Sequence, residues 1–196
     1  MFSIELHVAL GPERTYRELL SRNAPVAYWE TLLRPATVLL AIGVVIPMMA
    51  IHRVTLRLAG TAVVAWGFAV ALEFVAASCV IASASSRRAG MARAIDLWFA
   101  GHLPFSLWLL MLPIATTSLS LPALEVIGVT ALVPLIWTVF IVTAFCRTVL
   151  GTSAAGARWR AAIHLAAVII VGSTLFIISA GGGAAVWSYT LRRIAE

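Results

Sequence analysis

Apolar residues run in five long blocks, and most of the arginines crowd into alternate gaps between them. The blocks are approximately Ala36–Ile51, Leu58–Ala82, Leu97–Ala115, Val126–Cys146 and Ala161–Ala180. Most approach the roughly 20 residues that carry a helix across about 30 Å of hydrocarbon. The pattern predicts an all-α polytopic membrane bundle with about five transmembrane helices. The chain divides into a cytoplasmic amphipathic head (1–34), a five-helix membrane domain (35–182) and a short interfacial tail (183–196).

The head has its own periodicity. Gly11-Pro12-Glu13 predicts a helix start, with proline at the first helical position and an acid in the first turn. Tyr16, Leu19 and Leu20 then share one face, and Glu13/Arg17 and Arg14/Glu18 are spaced for i,i+4 pairing. This predicts a short amphipathic helix lying on the membrane surface, broken by Pro25. A second amphipathic turn through Val26, Trp29 and Leu33 leads into the first block, with Tyr28 and Trp29 suited to an interfacial aromatic belt. At the other end, Gly181-Gly182-Gly183 predicts a flexible helix terminus. The tail beyond it is either an interfacial helix or a helical continuation past the glycines.

Composition agrees with the block pattern. Of 196 residues, 62% are hydrophobic and 11% charged, more apolar surface than a soluble fold of this size solvates. The net charge of +6 sets 14 basic against 8 acidic side chains, and every basic one is arginine, since the chain has no lysine. With the abundance of alanine, this usage points to a GC-rich bacterial genome. The basic excess reads as contact with anionic head groups of an inner membrane, not with nucleic acid. A cytoplasmic N-terminus places Arg14, Arg17, Arg22, Arg34, Arg87, Arg88, Arg93, Arg147, Arg158 and Arg160 inside, and Arg53, Arg57, Arg192 and Arg193 outside. Ten against four favours N-in and C-out by the positive-inside rule.

Few residues inside the blocks carry chemistry. Glu73 lies well within the second, where an ionisable side chain is costly and turns toward other helices. Ala62, Ala65, Ala69 and Ala76 share its face and permit close helix approach, whereas Val64, Phe68 and Val75 suit lipid. At 1.5 Å per residue Glu73 is about 13 Å from the cytoplasmic end near Ala82, and His102 about 12 Å from Ala94. The two are therefore expected to meet as an intramembrane polar pair, structural or proton-linked. Arg93, Asp96, Arg147 and His164 are expected at similar depth as a polar cluster at the cytoplasmic end. Ala162 and Ala166 on the fifth block offer another packing surface.

The cysteines, Cys79 and Cys146, read as two small buried apolar residues. No CxxC or Cys/His spacing is present, so neither a zinc site nor a cofactor is expected. GxSxG, HExxH and P-loop patterns are absent, so no residue is assigned a catalytic role.

The segment Ala92 to Trp108, reading ARAIDLWFAGHLPFSLW, follows a basic cytoplasmic gap and carries Pro104 early in the third block. With a short head, five spans, small loops and Arg147 closing the fourth block before Arg158-Trp159-Arg160, it resembles a bacterial member of the Yip family. These are five-pass proteins named for interacting with Ypt/Rab small GTPases. The resemblance covers roughly Pro12 to the end of the fifth block. It implies an integral membrane protein with a cytoplasmic N-terminus and no known catalytic machinery. Eukaryotic members bind prenylated GTPases and each other. The short head of this chain departs from them, so that partner is not carried across, and Pro104 with its surroundings is the only mappable feature.

The expected function is thus an interaction or scaffold protein, or a subunit of a larger membrane complex, with the bilayer, other membrane proteins or itself as partners. The alternatives are a small transporter or channel component using Glu73 and His102, and, ranked lowest, an intramembrane enzyme acting on lipid.

Overall fold

The computed structural model describes residues 2–22, 26–108, 110 and 121–195, and among these every regular element is helical. Expectations for 111–120, the end of the third block and most of the uncharged gap, fall outside the described residues. The elements are α1 (Phe2–Leu10), α2 (Pro12–Ser21), a 3-10 turn (Tyr28–Leu32), α3 (Leu33–Ile51), α4 (Leu56–Trp66), α5 (Phe68–Ala82), α6 (Met91–Ala100), α7 (Leu121–Thr148) and α8 (Ala154–Ala195). Residues 103–108 are helical as well.

Among the described residues two segments, Tyr28–Met48 and Ala154–Gly172, are long and apolar enough to cross a membrane, and α4 with α5 makes a third if that bent pair is one span. Large apolar side chains cover the exterior, among them Leu40 (71% exposed), Val64 (83%), Phe140 (67%) and Ile170 (65%). A patch of this extent needs lipid or protein to cover it.

The second block is not one straight helix. α4 and α5 meet at 45° about Gly67, whose N–H donates to the Val63 carbonyl at 2.7 Å. A Cβ built on Gly67 would stand 2.3 Å from the Val63 oxygen and 3.0 Å from Leu39 Cδ2, so only glycine closes this joint against α3.

The third block is also interrupted. α6 starts six residues before Leu97 and stops at Ala100. Gly101 and His102 form the break, with helix resuming at 103. Pro104 fits the position: it has no N–H for the Ala100 carbonyl, and it stands in the first turn of the resumed helix, where that N–H would have no intrahelical partner. The close approach of the elements is a second reason for glycine. A Cβ on Gly101 would lie 2.4 Å from the Tyr16 hydroxyl and 2.5 Å from Ile141 Cγ2.

The head packs against the bundle. α2 forms where predicted, with Arg14 to Glu18 at 2.9 Å and Arg17 to Glu13 at 3.2 Å, but it packs on α7. Tyr16 is fully buried, its ring edge-on to Phe145 at 5.7 Å. α1 joins the same cluster through Val8, and the Trp137 indole donates to the Ala9 carbonyl at 2.8 Å. Because Tyr16 and Leu19 found protein to bury against, the amphipathic face does not need lipid. Burial raises the Tyr16 phenol pKa well above its usual value, and the hydroxyl has no hydrogen-bond partner among the described residues.

α8 begins at Ala154, seven residues before the predicted fifth block, and runs through Gly181–Gly183 to Ala195. Ser153 starts it by accepting from the Gly156 N–H at 3.2 Å. Ala157, Ala161 and His164 form its buried stripe, and Ala162 and Ala166 face outward, so the packing surface expected of them is not used within the described residues. Cys146 is buried, but Cys79 is exposed.

Polar contacts gather the arginine-rich gaps at one end. Arg160 donates to the Ser83 carbonyl at 3.0 Å, the Arg88 N–H to the Val149 carbonyl at 2.9 Å, and Arg93 to the Leu19 carbonyl at 3.2 Å. The head, the 83–90 loop, the start of α6, the end of α7 and the start of α8 therefore share one end.

Candidate functional site

Glu73, His102 and His164 meet in the interior. They come from α5, from the break after α6 and from α8, and they are 5%, 3% and 3% exposed. Buried alanines allow the approach: Ala77 on α5, Ala100 on α6, and Ala157 and Ala161 on α8. His102 Nε2 lies 3.0 Å from Glu73 Oε2, and His164 Nε2 lies 3.7 Å from the same oxygen. The donor atoms of all three residues fall within 4.8 Å of one another.

Trp98 is the wall of this site. Its ring stacks on His102 at 5.2 Å and meets His164 edge-on at 5.0 Å, with Phe145 edge-on behind it at 5.2 Å. Each aromatic pair adds about 0.5–1.5 kcal/mol beyond the area it covers. The Trp98 carbonyl also receives His102 Nδ1 at 2.9 Å. A carbonyl only accepts, so Nδ1 carries the hydrogen and Nε2 faces Glu73. Beside Glu73 and His102 is a cavity of about 20 Å³, bordered by Val38, Val70, Phe105 and Ser106. It is large enough for about one water.

The four residues expected at the cytoplasmic end are divided. Asp96 and Arg93 pair at 3.0 Å, and Arg34 joins them, Nε to Asp96 Oδ1 at 2.8 Å. Arg34 also pairs with Glu5 of α1. This network is largely buried and ties the head to α3 and α6. Arg147 is not part of it; the side chain is half exposed and bonds Glu13 of α2 at 2.7 Å. His164 is not part of it either. Because α8 starts at Ala154, ten residues earlier, His164 is about 15 Å along the helix and reaches Glu73.

Sequence reasoning missed His164 at the interior site and Arg34 and Glu5 in the polar network. Ser153 was the signal for the first, a capping residue inside what reads as a flexible gap. Glu5 had a weaker one: a carboxylate inside an otherwise apolar ten-residue run.

No family model, curated protein or solved structure matches this chain.

Proposed function

We propose that this chain is a five-pass, Yip-like protein of a bacterial inner membrane, acting as an interaction or scaffold protein or as a subunit of a larger complex. The observation that carries this reading is the close packing of its interior ionisable groups. Glu73, His102 and His164 are closed in by Trp98, Phe99 and Phe145, and the adjoining cavity has room for about one water. A scaffold uses such a centre to hold helices in register. The outward-facing Ala162 and Ala166 on α8 supply a small-residue surface for a neighbouring helix.

The five-pass arrangement is supported by the clustering of alternate arginine-rich gaps at one end. α3 and α8 leave that end, α5 and α7 return to it, and α6 leaves it again. The positive-inside rule makes it the cytoplasmic end.

A second reading, a small transporter or channel component, is favoured by one specific observation. The helices carrying Glu73 and His102 are broken, at Gly67 and at Gly101–His102, and interrupted helices beside ionisable groups are common in transporters.

Cross-linking in native membranes, followed by identification of co-purifying proteins, separates the two. One stoichiometric partner supports the scaffold or subunit reading. A lone monomer that carries a proton-dependent flux in liposomes overturns it in favour of the transporter. Reporter tags at Met1 and Glu196 test the odd number of passes: both reporting from one compartment rules it out.

A further inference from the structure

We propose that Glu73, His102 and His164 form a mononuclear site for a divalent first-row transition ion such as zinc, held between α5, the break after α6, and α8.

The tautomer of His102 is fixed. Its Nδ1 hydrogen is committed to the Trp98 carbonyl at 2.9 Å. A neutral His102 therefore directs the Nε2 lone pair at Glu73 Oε2, 3.0 Å away, which is itself an acceptor. Two lone pairs at that distance repel, so a positive species belongs between them, either a proton or a metal ion.

His164 distinguishes the two. A single proton shared by Glu73 and His102 completes that pair and leaves His164 without a bond. His164 Nε2 is 3.7 Å from the carboxylate oxygen, beyond hydrogen-bonding reach, and the ring is 3% exposed. A metal ion engages all three donors at once. Donors of a tetrahedral ion with bonds near 2.0–2.1 Å stand about 3.3 Å apart; the two separations from Glu73, 3.0 and 3.7 Å, straddle that value, and all three donors lie within 4.8 Å of one another.

The surroundings also have the form of a metal site. A ligating histidine commonly donates its other ring N–H to a backbone carbonyl, which orients the ring and raises its basicity. His102 does so through Trp98. The cavity beside Glu73 and His102, with room for about one water, offers a fourth ligand position, and the Ser106 side chain borders it. Two imidazoles and one carboxylate suit zinc, iron, cobalt or nickel, whereas magnesium and calcium take oxygen ligands. Three donors separated by 29 and 62 residues in sequence carry no short spacing, which is why the site is invisible to motif reading.

The test uses the full chain in detergent or nanodiscs, stripped with a chelator and then titrated with Zn(II) and, separately, Co(II). Expected are about one ion bound per chain, a rise in melting temperature with zinc, and visible Co(II) bands of a low-coordinate nitrogen and oxygen site. Glu73→Gln and His164→Ala should each weaken binding by at least about tenfold. His52→Asn, at an exposed position away from the site, should bind as the parent does. Uptake below about 0.1 ion per chain, or His164→Ala binding as tightly as the parent, overturns the proposal. If the variants do not fold, the parent protein decides alone: zinc that leaves its melting temperature unchanged, with featureless Co(II) spectra, overturns it equally. The scaffold reading stands or falls separately, on the co-purifying partner.

Discussion

Arg34 Nε donates to Asp96 Oδ1 at 2.8 Å, joining two residues 62 positions apart at the polar end of the bundle. Arg34 also holds Glu5, and Arg93 takes the second oxygen of Asp96. One guanidinium thus links α1, α3 and α6. Its side chain is only 14% exposed, as is that of Asp96, and Glu5 is at 10%. Removing one partner of a buried charge network leaves the other uncompensated, a loss of about 3–5 kcal/mol. Arg34→Ala should lower the melting temperature of the purified protein sharply. Arg34→Lys should recover part of the loss, because an ammonium keeps the charge but not the planar fork.

Arg147 is the contrasting case. It reaches Glu13 at 2.7 Å, but the two side chains are 50% and 41% exposed. Pairs of this kind contribute about 0–1 kcal/mol, and salt screens them. Arg147→Ala should therefore shift the melting temperature little. A shift as large as that of Arg34→Ala would show that the exposed pair anchors the head.

Tyr16 and Gly101 form a tight contact with opposite expectations for its two members. The Tyr16 hydroxyl is buried without a partner among the described residues. Tyr16→Phe should be neutral or stabilise the protein by up to about 1–3 kcal/mol. Gly101→Ala places a methyl 2.4 Å from that hydroxyl and 2.5 Å from Ile141, and overpacking of this kind costs about 1–3 kcal/mol. The double variant should lose less than Gly101→Ala alone, as read by thermal melting of all four proteins. Simple additivity would mean that Ile141 is the dominant obstacle.

Gly67 should be sensitive for a different reason. Alanine there forces the Cβ against the Val63 carbonyl at 2.3 Å, so the α4–α5 joint has to open. Spin labels at the exposed positions Val64 and Val75 should report a changed separation in Gly67→Ala, together with lower thermal stability. An unchanged distance would show that the 45° bend does not depend on glycine.

These particulars show what could be read beforehand. The apolar blocks, the helix at Pro12 with its two i,i+4 pairs and the depth of Glu73 and His102 follow from spacing alone, because rise per residue and side-chain periodicity are local quantities. The interruption at Gly101–His102 was available in Gly101 and Pro104, but a continuous apolar run conceals it. His164 was misplaced because its depth depends on where α8 begins, and Ser153 starts that helix inside a stretch that reads as flexible. The partners of Arg34 and Arg147 depend on how the head folds back onto α6 and α7, a tertiary choice that no local pattern carries. The 111–120 region lies outside the described residues and adds nothing to this comparison.

The final helix has one more consequence. Its 42 residues make a rod of about 63 Å, twice the thickness of a hydrocarbon layer. A steep lean of about 40° hides only about 40 Å of it. Where it crosses the bilayer, about 20 Å or more of it extends beyond the hydrocarbon, enough to pass through the head-group layers and end at the water, within reach of a water-borne partner.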